Sequence, residues 1–294
     1  MSSAIDRAMD WVVEVAGDEQ AQGSLSEETR KSARSALNRY GCVLLRGVFE
    51  QAKIDEMRSA YLAQFGHMNA EQMAAQAEAP PPNPVYWVGE GRYEITPRLD
   101  SVFGDPQFFA NPLLHDFLLP ILGNDMRLSG LTVVVSHPGS ELQHTHRDHP
   151  LLFENLSDEN PKLPTYAINV TVPLVDVDEQ TGPTGIWLGS HRWPTSTTPE
   201  PSGMTLVPFQ RGDCVLIDYR TLHAGLPNRS SVVRPFAYLV YTRTWFFDEI
   251  NHRMRPSLSM TLEQYEALPE SVQPLLSRAF SQHMRARYFS AAAR

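Results

Sequence analysis

Three residues in this chain have the types and the spacing of metal ligands. His146 and Asp148 stand two positions apart in the segment Gln-His-Thr-His-Arg-Asp-His, and His223 follows far downstream in Leu-His-Ala-Gly. Two imidazoles and one carboxylate can occupy one face of an octahedral ferrous ion and leave the opposite positions open, as in non-haem iron oxygenases. We therefore predict that His146, Asp148 and His223 bind one metal ion.

A β-strand would explain the spacing of the first two ligands. Residues two apart on a strand point to the same side, so His146 and Asp148 would hold one ion while Arg147 faces away. The third ligand must then come from another strand, and His223 follows the strand-like run 213–219. A His-x-Asp pair by itself is a weak signal, because such pairs recur by chance.

Two neighbouring histidines permit other ligand sets. His144 and His146 form a His-x-His pair as in cupins, but no glutamate follows at the short spacing of that pattern. We rank His144 and His149 as non-ligands, because a fourth ligand would close a position that the chemistry needs.

Arg234 opens the run 234–241, whose alternation of side chains is typical of a strand that enters a core. A buried arginine needs an anion, and its planar guanidinium pairs bidentately with a carboxylate. One candidate partner is the far carboxylate of a dicarboxylate that chelates the metal through its keto acid end. The alternative is a structural acid such as Asp213 or Asp218.

The order and spacing of these motifs resemble the phytanoyl-CoA dioxygenase family, with a likeness that spans roughly residues 35 to 245. The motifs that carry it are the early strand 41–49, His146-x-Asp148, the run 172–183, Trp187-Leu-Gly-Ser-His191, Gly212-Asp213, His223 and Arg234. The resemblance implies a double-stranded β-helix that uses Fe(II), 2-oxoglutarate and O2. It also implies that Arg234 holds the far carboxylate of the co-substrate.

The chain departs from the family pattern at two turns. The usual Pro-Gly-Ser-His turn is Leu188-Gly-Ser-His here, and we expect His191 to order this loop rather than to bind metal. Many relatives carry a small hydroxyl residue two places after the distal histidine, where this chain has Gly225. Some contacts with the co-substrate must therefore differ.

Three further residues are candidates for binding the co-substrate. Gln143 precedes His146 by three residues and would lie near the metal. In the predicted strand 166–175, alternation places Asn169 and Thr171 on one face and apolar residues on the other. These two side chains either line the site or face solvent.

The retained Asp148 favours oxygenation, because relatives that halogenate replace this carboxylate by a small residue. The resemblance then implies hydroxylation of a carbon in a small molecule, with release of succinate and CO2. Desaturation, ring closure and endoperoxide formation are alternative outcomes. Two other functions are a hydroxylase of protein side chains and a cupin-like metabolite binder without catalysis.

The segment 85–109 is rich in aromatic residues and irregular in pattern. In this fold such a segment can cover the mouth of the barrel, which favours a closed pocket and a small-molecule substrate. We take Trp87, Tyr93 and Arg98 as candidate substrate contacts. The alternative is a loop packed on the surface.

Composition limits the class of protein. A net charge of −9 without a basic block argues against a nucleic-acid partner. The apolar runs are too short to span a bilayer, and no secretory signal is apparent. Cys42 and Cys214 are isolated, which suits a reducing cytoplasm. The 294 residues suit a single enzyme domain.

The predicted elements give a mainly β architecture with flanking helices (α+β): a jelly roll, or cupin-like barrel, over about 125–246 that follows a helical part at 1–80. The predicted helices are an N-terminal one with the apolar stripe Ile5, Met9, Val12 and Ala16, followed by 29–40, 51–65, 68–79 and 111–123. The helix 29–40 would follow a capping box of Ser24 and Glu27 and end at Gly41. Predicted strands are 126–136, 141–148, 166–175, 184–188, 204–207, 213–219 and 232–246. A C-terminal helical part at 260–290, with its helix at about 270–288, would cap the barrel, form a homodimer, or do both.

Overall fold

The computed structural model describes residues 10–80, 83–100, 102–153, 159–194, 196–207, 209–252, 257–258 and 260–277. These residues form an eight-stranded sheet and a smaller three-stranded sheet. The strands are β1 (Val12–Glu14), β2 (Cys42–Arg46), β3 (Val85–Gly89), β4 (Arg92–Ile95), β5 (Arg127–Ser136), β6 (Ala167–Pro173), β7 (Thr184–Ile186), β8 (Thr205–Val207), β9 (Cys214–Asp218), β10 (His223–Gly225) and β11 (Arg234–Thr242).

The strand order is that of a jelly roll, and the predicted double-stranded β-helix is confirmed. The large sheet runs β1-β2-β9-β6-β11-β5-β4-β3, and the small sheet runs β10-β7-β8. All neighbours pair antiparallel except β1 and β2. An isolated bridge between His146 and His223 extends the small sheet beyond β10.

The centre of the large sheet reads as an almost continuous apolar sequence because it is covered on both faces. Every residue of β6 is buried, and β6 lies between β9 and β11. Asn169 and Thr171 are exceptions to this apolar composition, and both are buried. The register places Asn169 opposite Val240 and Thr171 opposite Tyr238, whose side chains line a cavity inside the roll.

Among the described residues, six α-helices precede β5 and two follow β11. They are α1 (Gly17–Gln22), α2 (Glu27–Tyr40), α3 (Gln51–Phe65), α4 (Ala70–Ala77), α5 (Pro106–Phe109), α6 (Pro112–Leu122), α7 (Glu249–His252) and α8 (Leu262–Glu266). The prediction for 111–123 is confirmed: Asn111 caps the N–H groups of Leu113 and Leu114, and Gly123 ends α6. The predictions for α3 and α4 are confirmed as well.

Gly41 ends α2, as predicted, and it also brings this helix close to the metal-binding side of the molecule. Its φ of 75° is a left-handed conformation that suits glycine. A side chain at this position would collide with Thr221 and His191. The Gly41 carbonyl accepts hydrogen bonds from Asp218 N and Thr221 Oγ1, which holds the turn that leads to His223.

The predicted strand 141–148 is wrong. Within it only His146 makes a ladder pair, and Asp148 lies in a bend. The physical reason is that this segment crosses the mouth of the roll and bonds to β10 at isolated points, through Gln143 and His146. The alternation of a regular strand therefore does not explain why His146 and Asp148 point to the same side.

Two predictions near the N-terminus are also wrong. Val12 belongs to β1, whose pairing with β2 outweighs the helical spacing of the apolar residues; Ile5 and Met9 lie outside the described residues. The cap of α2 is Ser26, which accepts a hydrogen bond from Thr29 N, and not Ser24. Ser24 and Glu27 satisfy the motif in sequence, but the helix starts at Glu27.

The aromatic segment 85–109 is more regular than predicted. It begins with a hairpin of β3 and β4, which extends the large sheet beyond β5. The predicted C-terminal helix begins within the described part, where 273–276 form a short 3-10 turn, and residues 278–294 lie outside the described residues. The roles of this segment as a cap or in a homodimer stay predictions.

Candidate metal centre and its pocket

The side chains of His146, Asp148 and His223 meet at one point inside the roll. One ligand atom from each lies within 4.8 Å of the other two. His223 Nε2 and Asp148 Oδ1 are 3.4 Å apart. Such a cluster of two imidazoles and a carboxylate can bind a divalent metal on one face and leave the opposite face open.

Main-chain pairing fixes the two histidines. His146 and His223 exchange two backbone hydrogen bonds, of 3.0 and 2.9 Å, so each imidazole starts from a defined position. Their Nδ1 atoms donate to the carbonyls of His144 and Thr221, respectively. Because Nδ1 donates in this way, each ring in its neutral form carries on Nε2 the lone pair that a metal requires.

The charges around the triad suit a cation. Burial, followed by the neighbouring His223, lowers the pKa of His146 to about 4, so this imidazole is neutral at physiological pH. Burial alone would raise the pKa of Asp148, but the two histidines and a hydrogen bond from Asn169 outweigh it and lower the pKa. A carboxylate is therefore available as the anionic ligand.

A buried ion pair supports the turn before His223. Arg220 donates to both carboxylate oxygens of Asp218, each at 2.8 Å, and to the carbonyls of Asn160 and Leu163. Both side chains are almost fully buried. This pairing uses the Asp218 carboxylate, so Asp218 is not the partner of Arg234.

A cavity of about 350 Å³ opens beside the triad. Its wall includes the three ligands together with residues from the large sheet, the segment 143–150 and the start of α7. The lining residues used below are Gln143, Asn169, Tyr219, Gly225, Arg234 and Tyr238 from the roll, and Ile250 and Asn251 from α7.

Arg234 is an unpaired cation at this cavity. It is 2% exposed, and it makes no hydrogen bond or ion pair with any described residue. Its guanidinium lies over the ring of Phe236, 3.8 Å from the centroid. Burial, and then the nearby charge of Arg92, lower the pKa of Arg234 to about 9. The alternative partner Asp213 instead accepts backbone hydrogen bonds from Gly47 and Gln210.

Arg92 is a second buried arginine beside Arg234. Both stand opposite Ser136 in the sheet, on β4 and β11, so their side chains leave the same face. Arg92 donates to the carbonyls of Glu141 and Leu226, but its Nη1 has no partner among the described residues. Two buried guanidiniums with unused N–H groups form a site for an anion.

Gln143 and Gly225 lie between Arg92 and the metal ligands. Gln143 N donates to the Gly225 carbonyl, and Gly225 N donates to Gln143 Oε1 at 3.0 Å. A Cβ on residue 225 would lie 2.6 Å from Gln143 Oε1 and 3.0 Å from Arg92 Nη1. The missing hydroxyl residue at this position thus makes room for two longer polar side chains.

Of the other residues singled out in the sequence, Asn169 lies in the cavity wall, and Thr171 and His191 lie outside it. Asn169 lines the cavity, where its Nδ2 donates to Asp148 Oδ2 at 3.2 Å. Thr171 is buried opposite Tyr238 in the sheet, and it is not part of the cavity wall. His191, predicted to order a loop, is buried against the Asn38 carbonyl, away from the triad.

The three predicted substrate contacts do not line the cavity. Trp87 is 63% exposed. The hydroxyl of Tyr93 donates to the Ala70 carbonyl, and Arg98 forms an exposed ion pair with Asp100. The β3–β4 hairpin turns these aromatic residues away from the metal because Tyr93 shares a strand face with Ile95, opposite to the face of Arg92.

Sequence reasoning missed Arg92, Tyr219, Tyr238 and Asn251. Arg92 and Glu94 alternate with Tyr93 and Ile95, which is a recognisable strand pattern. Alternation usually puts the charged face toward water, however, and only the packing of both sheets shows that this face is inside. No local signal marked Asn251.

Comparison with known proteins agrees with this geometry. The family model described as phytanoyl-CoA dioxygenase (PhyH) matches residues 37–236. The chain belongs to the phytanoyl-CoA dioxygenase family. It is thus an enzyme of the iron- and 2-oxoglutarate-dependent dioxygenases.

Fungal dioxygenases are among the relatives of this family member. "Dioxygenase af480" of Aspergillus fumigatus is 24% identical over 84% of this chain and 75% of its own length. "Dioxygenase aneA" of Aspergillus aculeatus is 28% identical over 62% of this chain and 59% of its own length. "Iron/alpha-ketoglutarate-dependent dioxygenase ausU" of Aspergillus calidoustus is 35% identical over 30% of this chain and 29% of its own length.

Solved structures show the same fold. The epimerase SnoN, in complex with Fe3+, alpha ketoglutarate and nogalamycin RO, matches with a TM-score of 0.53 and 19% identity. The match covers 81% of this chain and 98% of SnoN. In the described part of this dioxygenase, no helix has both the length and the apolar character needed to cross a membrane.

The residues of the dioxygenase fit iron and 2-oxoglutarate. The triad offers two imidazole nitrogens and a carboxylate oxygen that converge, with both Nδ1 atoms engaged elsewhere. Arg234 Nε and Arg92 Nη1 are buried without a hydrogen-bond partner among the described residues, which suits an anion. A dicarboxylate that binds at the triad through one end would present its other carboxylate to such groups.

Proposed function

We propose that this dioxygenase oxygenates a carbon–hydrogen bond of a small organic molecule. In the balanced reaction, 2-oxoglutarate, O2 and the substrate R–H give succinate, CO2 and the hydroxylated product R–OH. The observation that carries the proposal is the His146, Asp148 and His223 cluster beside the buried Arg234, which has no hydrogen-bond or ion-pair partner among the described residues. Ferrous iron, when bound, supplies the reaction with O2 that amino-acid side chains cannot perform.

The protein's part is to bind and orient. His146, Asp148 and His223 hold the metal from one side, which leaves the side toward the cavity for the co-substrate and O2. Arg234, helped by the positive charge of Arg92, receives the far carboxylate of 2-oxoglutarate. Gln143 is the proposed contact near the metal end, because it lines the cavity beside Gly225. Thr171 supports this pocket from the strand position opposite Tyr238.

Asn169 has a different proposed role from the one predicted. Its Nδ2 already donates to Asp148, so it orients the carboxylate ligand. Its Oδ1 is buried without a partner among the described residues and can accept a hydrogen bond from a bound molecule. Polar groups next to a metal ligand in this way typically affect metal affinity as well as geometry.

The cavity supports a small-molecule substrate rather than a protein side chain. A volume of about 350 Å³ lies within the usual range for small-molecule pockets. The proposed substrate contacts are lining residues that the triad and the arginines leave unused, Tyr219, Tyr238 and Ile250. The predicted contacts Trp87, Tyr93 and Arg98 are not needed for this proposal.

The proposal is tested by anaerobic addition of Fe(II) and 2-oxoglutarate to the purified protein. We expect a weak visible charge-transfer band that needs both additions, and slow release of succinate once O2 is admitted. A panel of small molecules and of peptides is then scored by the increase in succinate release and by mass analysis of products. If neither the band nor succinate forms, the proposed function is wrong and the metabolite-binder alternative remains.

Gly225→Ser is expected to weaken the binding of 2-oxoglutarate, although it introduces a hydroxyl that many relatives carry. The backbone at Gly225 has no positive φ, so serine is tolerated there, but its Cβ displaces Gln143 and Arg92. Overpacking of this kind costs about 1–3 kcal/mol. We therefore expect the KM for 2-oxoglutarate to rise about fivefold or more, measured by succinate release.

Gly17→Ser is the matched control for this substitution, because a Cβ at position 17 meets nothing within 4 Å. It should leave the KM unchanged. A KM in Gly225→Ser equal to or below that of the wild type would show that Gln143 and Arg92 do not shape the co-substrate site.

We also propose that the enzyme works in the cytoplasm. Cys42 and Cys214 are both free and buried, and burial raises the pKa of each thiol. Buried thiols of this kind are inert and suit a reducing compartment. Localisation of a tagged full-length protein tests this proposal.

A further inference from the structure

The three metal ligands are not held equally by the main chain. His146 and His223 are tied to each other by two backbone hydrogen bonds. Asp148 lies in the bend beyond this bridge. Its anchors are side chains: Asn169 donates to its carboxylate, and Asn251 Nδ2 donates to its main-chain carbonyl at 2.6 Å.

Asn251 is itself oriented by a buried acid. Its backbone N–H donates to Asp248 Oδ1 at 3.0 Å, and its Nδ2 donates to Asp248 Oδ2 at 2.8 Å. Asp248 is 1% exposed, and its Oδ2 also accepts from the Tyr219 hydroxyl at 3.4 Å. One N–H of the carboxamide is thus held by Asp248, which points the other at the Asp148 carbonyl.

The same short segment forms part of the pocket wall. Ile250 and Asn251 belong to α7 and line the cavity, and Tyr219 lines it from the end of β9. The Asp248–Asn251 contact therefore joins a wall of the pocket to the backbone of a metal ligand that lies about a hundred residues earlier in the chain.

We propose that Asn251 is a positioning residue for the metal centre. Its side chain, from the C-terminal part of the chain, binds the main-chain carbonyl of Asp148 and so fixes that ligand in place. The inference rests on the proposed metal site. Without Asn251, the main chain at Asp148 loses this anchor; the carboxylate keeps its contacts with Asn169 and His223 but samples more positions. A metal that requires the carboxylate in one position then binds less tightly, and by linkage a bound metal makes the 248–251 segment more rigid.

The first test measures Co(II) affinity of Asn251→Ala in the absence of 2-oxoglutarate, using the visible absorption of the Co(II) protein. We expect a loss of about tenfold or more, since removal of groups that orient metal ligands typically costs 10–100-fold in affinity. Asn83→Ala is the matched control: Asn83 is a buried asparagine that donates to the Gln76 carbonyl and accepts from Val85 N. It should lower thermal stability and leave the Co(II) affinity unchanged.

The second test measures amide hydrogen exchange of residues 249–251 with and without Co(II). In the wild type, Co(II) should slow this exchange, and in Asn251→Ala the slowing should be absent. If Asn251→Ala does not fold, Asp248→Asn keeps the volume and replaces one of the two carboxylate oxygens that accept from Asn251 by an NH2 donor. That variant should show a smaller loss of Co(II) affinity in the same direction.

Two outcomes would overturn the inference: Co(II) affinity in Asn251→Ala within twofold of the wild type, or Co(II) protection of 249–251 that persists in this variant. A wild-type protein that binds no Co(II), or binds it equally well after His146→Ala, would instead contradict the proposed metal site. The two failures are therefore distinguishable.

Discussion

His146→Ala is expected to abolish turnover of 2-oxoglutarate and the visible band that depends on Fe(II) and 2-oxoglutarate. In the proposed site His146 supplies one of three ligands through its neutral imidazole, and alanine offers no ligand atom in its place. Loss of a group that only orients a ligand already costs 10–100-fold. Loss of the ligand itself should exceed about 100-fold in Fe(II) affinity, measured by anaerobic titration.

His149→Ala is the matched control for this experiment. His149 stands three positions later, bonds to the Pro150 carbonyl through Nδ1, and packs on Phe246 outside the cavity wall. It should retain the band, the Fe(II) affinity and succinate release. An unchanged Fe(II) affinity in His146→Ala, or a loss in His149→Ala of the same size, would mean that the ligand set is wrong.

Arg234→Met is expected to change stability and co-substrate binding in opposite directions. Without 2-oxoglutarate, Arg234 is a buried cation that lies over the face of Phe236, near the charge of Arg92, and has no hydrogen-bond or ion-pair partner among the described residues. Replacing it by an apolar side chain of similar length removes the cost of burying that charge. The melting temperature of the protein without co-substrate should therefore rise.

The same substitution should weaken 2-oxoglutarate binding severely. Removing one partner of a buried, hydrogen-bonded charge pair costs about 2–5 kcal/mol, or roughly 30-fold and more in affinity. The measurement is the 2-oxoglutarate dependence of the anaerobic band, together with the thermal stabilisation that 2-oxoglutarate provides.

Arg229→Ala removes an exposed arginine five positions earlier and serves as the control. It should change neither the melting temperature without co-substrate nor the affinity for 2-oxoglutarate. If Arg234→Met binds 2-oxoglutarate as the wild type does, Arg234 does not hold the far carboxylate. If the melting temperature falls instead, the arginine has a structural partner that the proposal leaves out.

Much of the fold was predictable because its signals are local. Asn111, Pro112 and Gly123 mark the ends of α6 through capping chemistry. The segments that form β5, β6, β9 and β11 are rich in apolar and β-branched residues and are bounded by turn residues, so they could be predicted as strands from their own sequence. The predicted strand 141–148 was wrong because a strand-like sequence becomes a strand only when its backbone is paired along its length, and in this segment only His146 forms a bridge.

The residues of the candidate site also fall into those that the sequence predicted and those whose contacts it did not. Ligand chemistry limits the choice of metal-binding residues, so His146, Asp148 and His223 stood out from their types and spacing. Arg234 stood out because a cation at the start of a core strand requires an anion. Asn169 was identified as a residue near the site, but its contact with Asp148 depends on a segment that lies outside its own strand.

The amino-acid sequence by itself determined the candidate metal ligands, the candidate co-substrate arginine and the jelly-roll class, because these depend on residue chemistry and on patterns within short segments. Only the tertiary structure decided that Arg92 faces inward beside Arg234, that Gly225 leaves room for Gln143, and that Asn251 reaches Asp148. Each of these depends on which face of a strand is enclosed and on contacts between distant segments. The packing of the two sheets against each other determines which strand face is enclosed and which distant segments touch. Alternation of side chains along one strand determines neither of these.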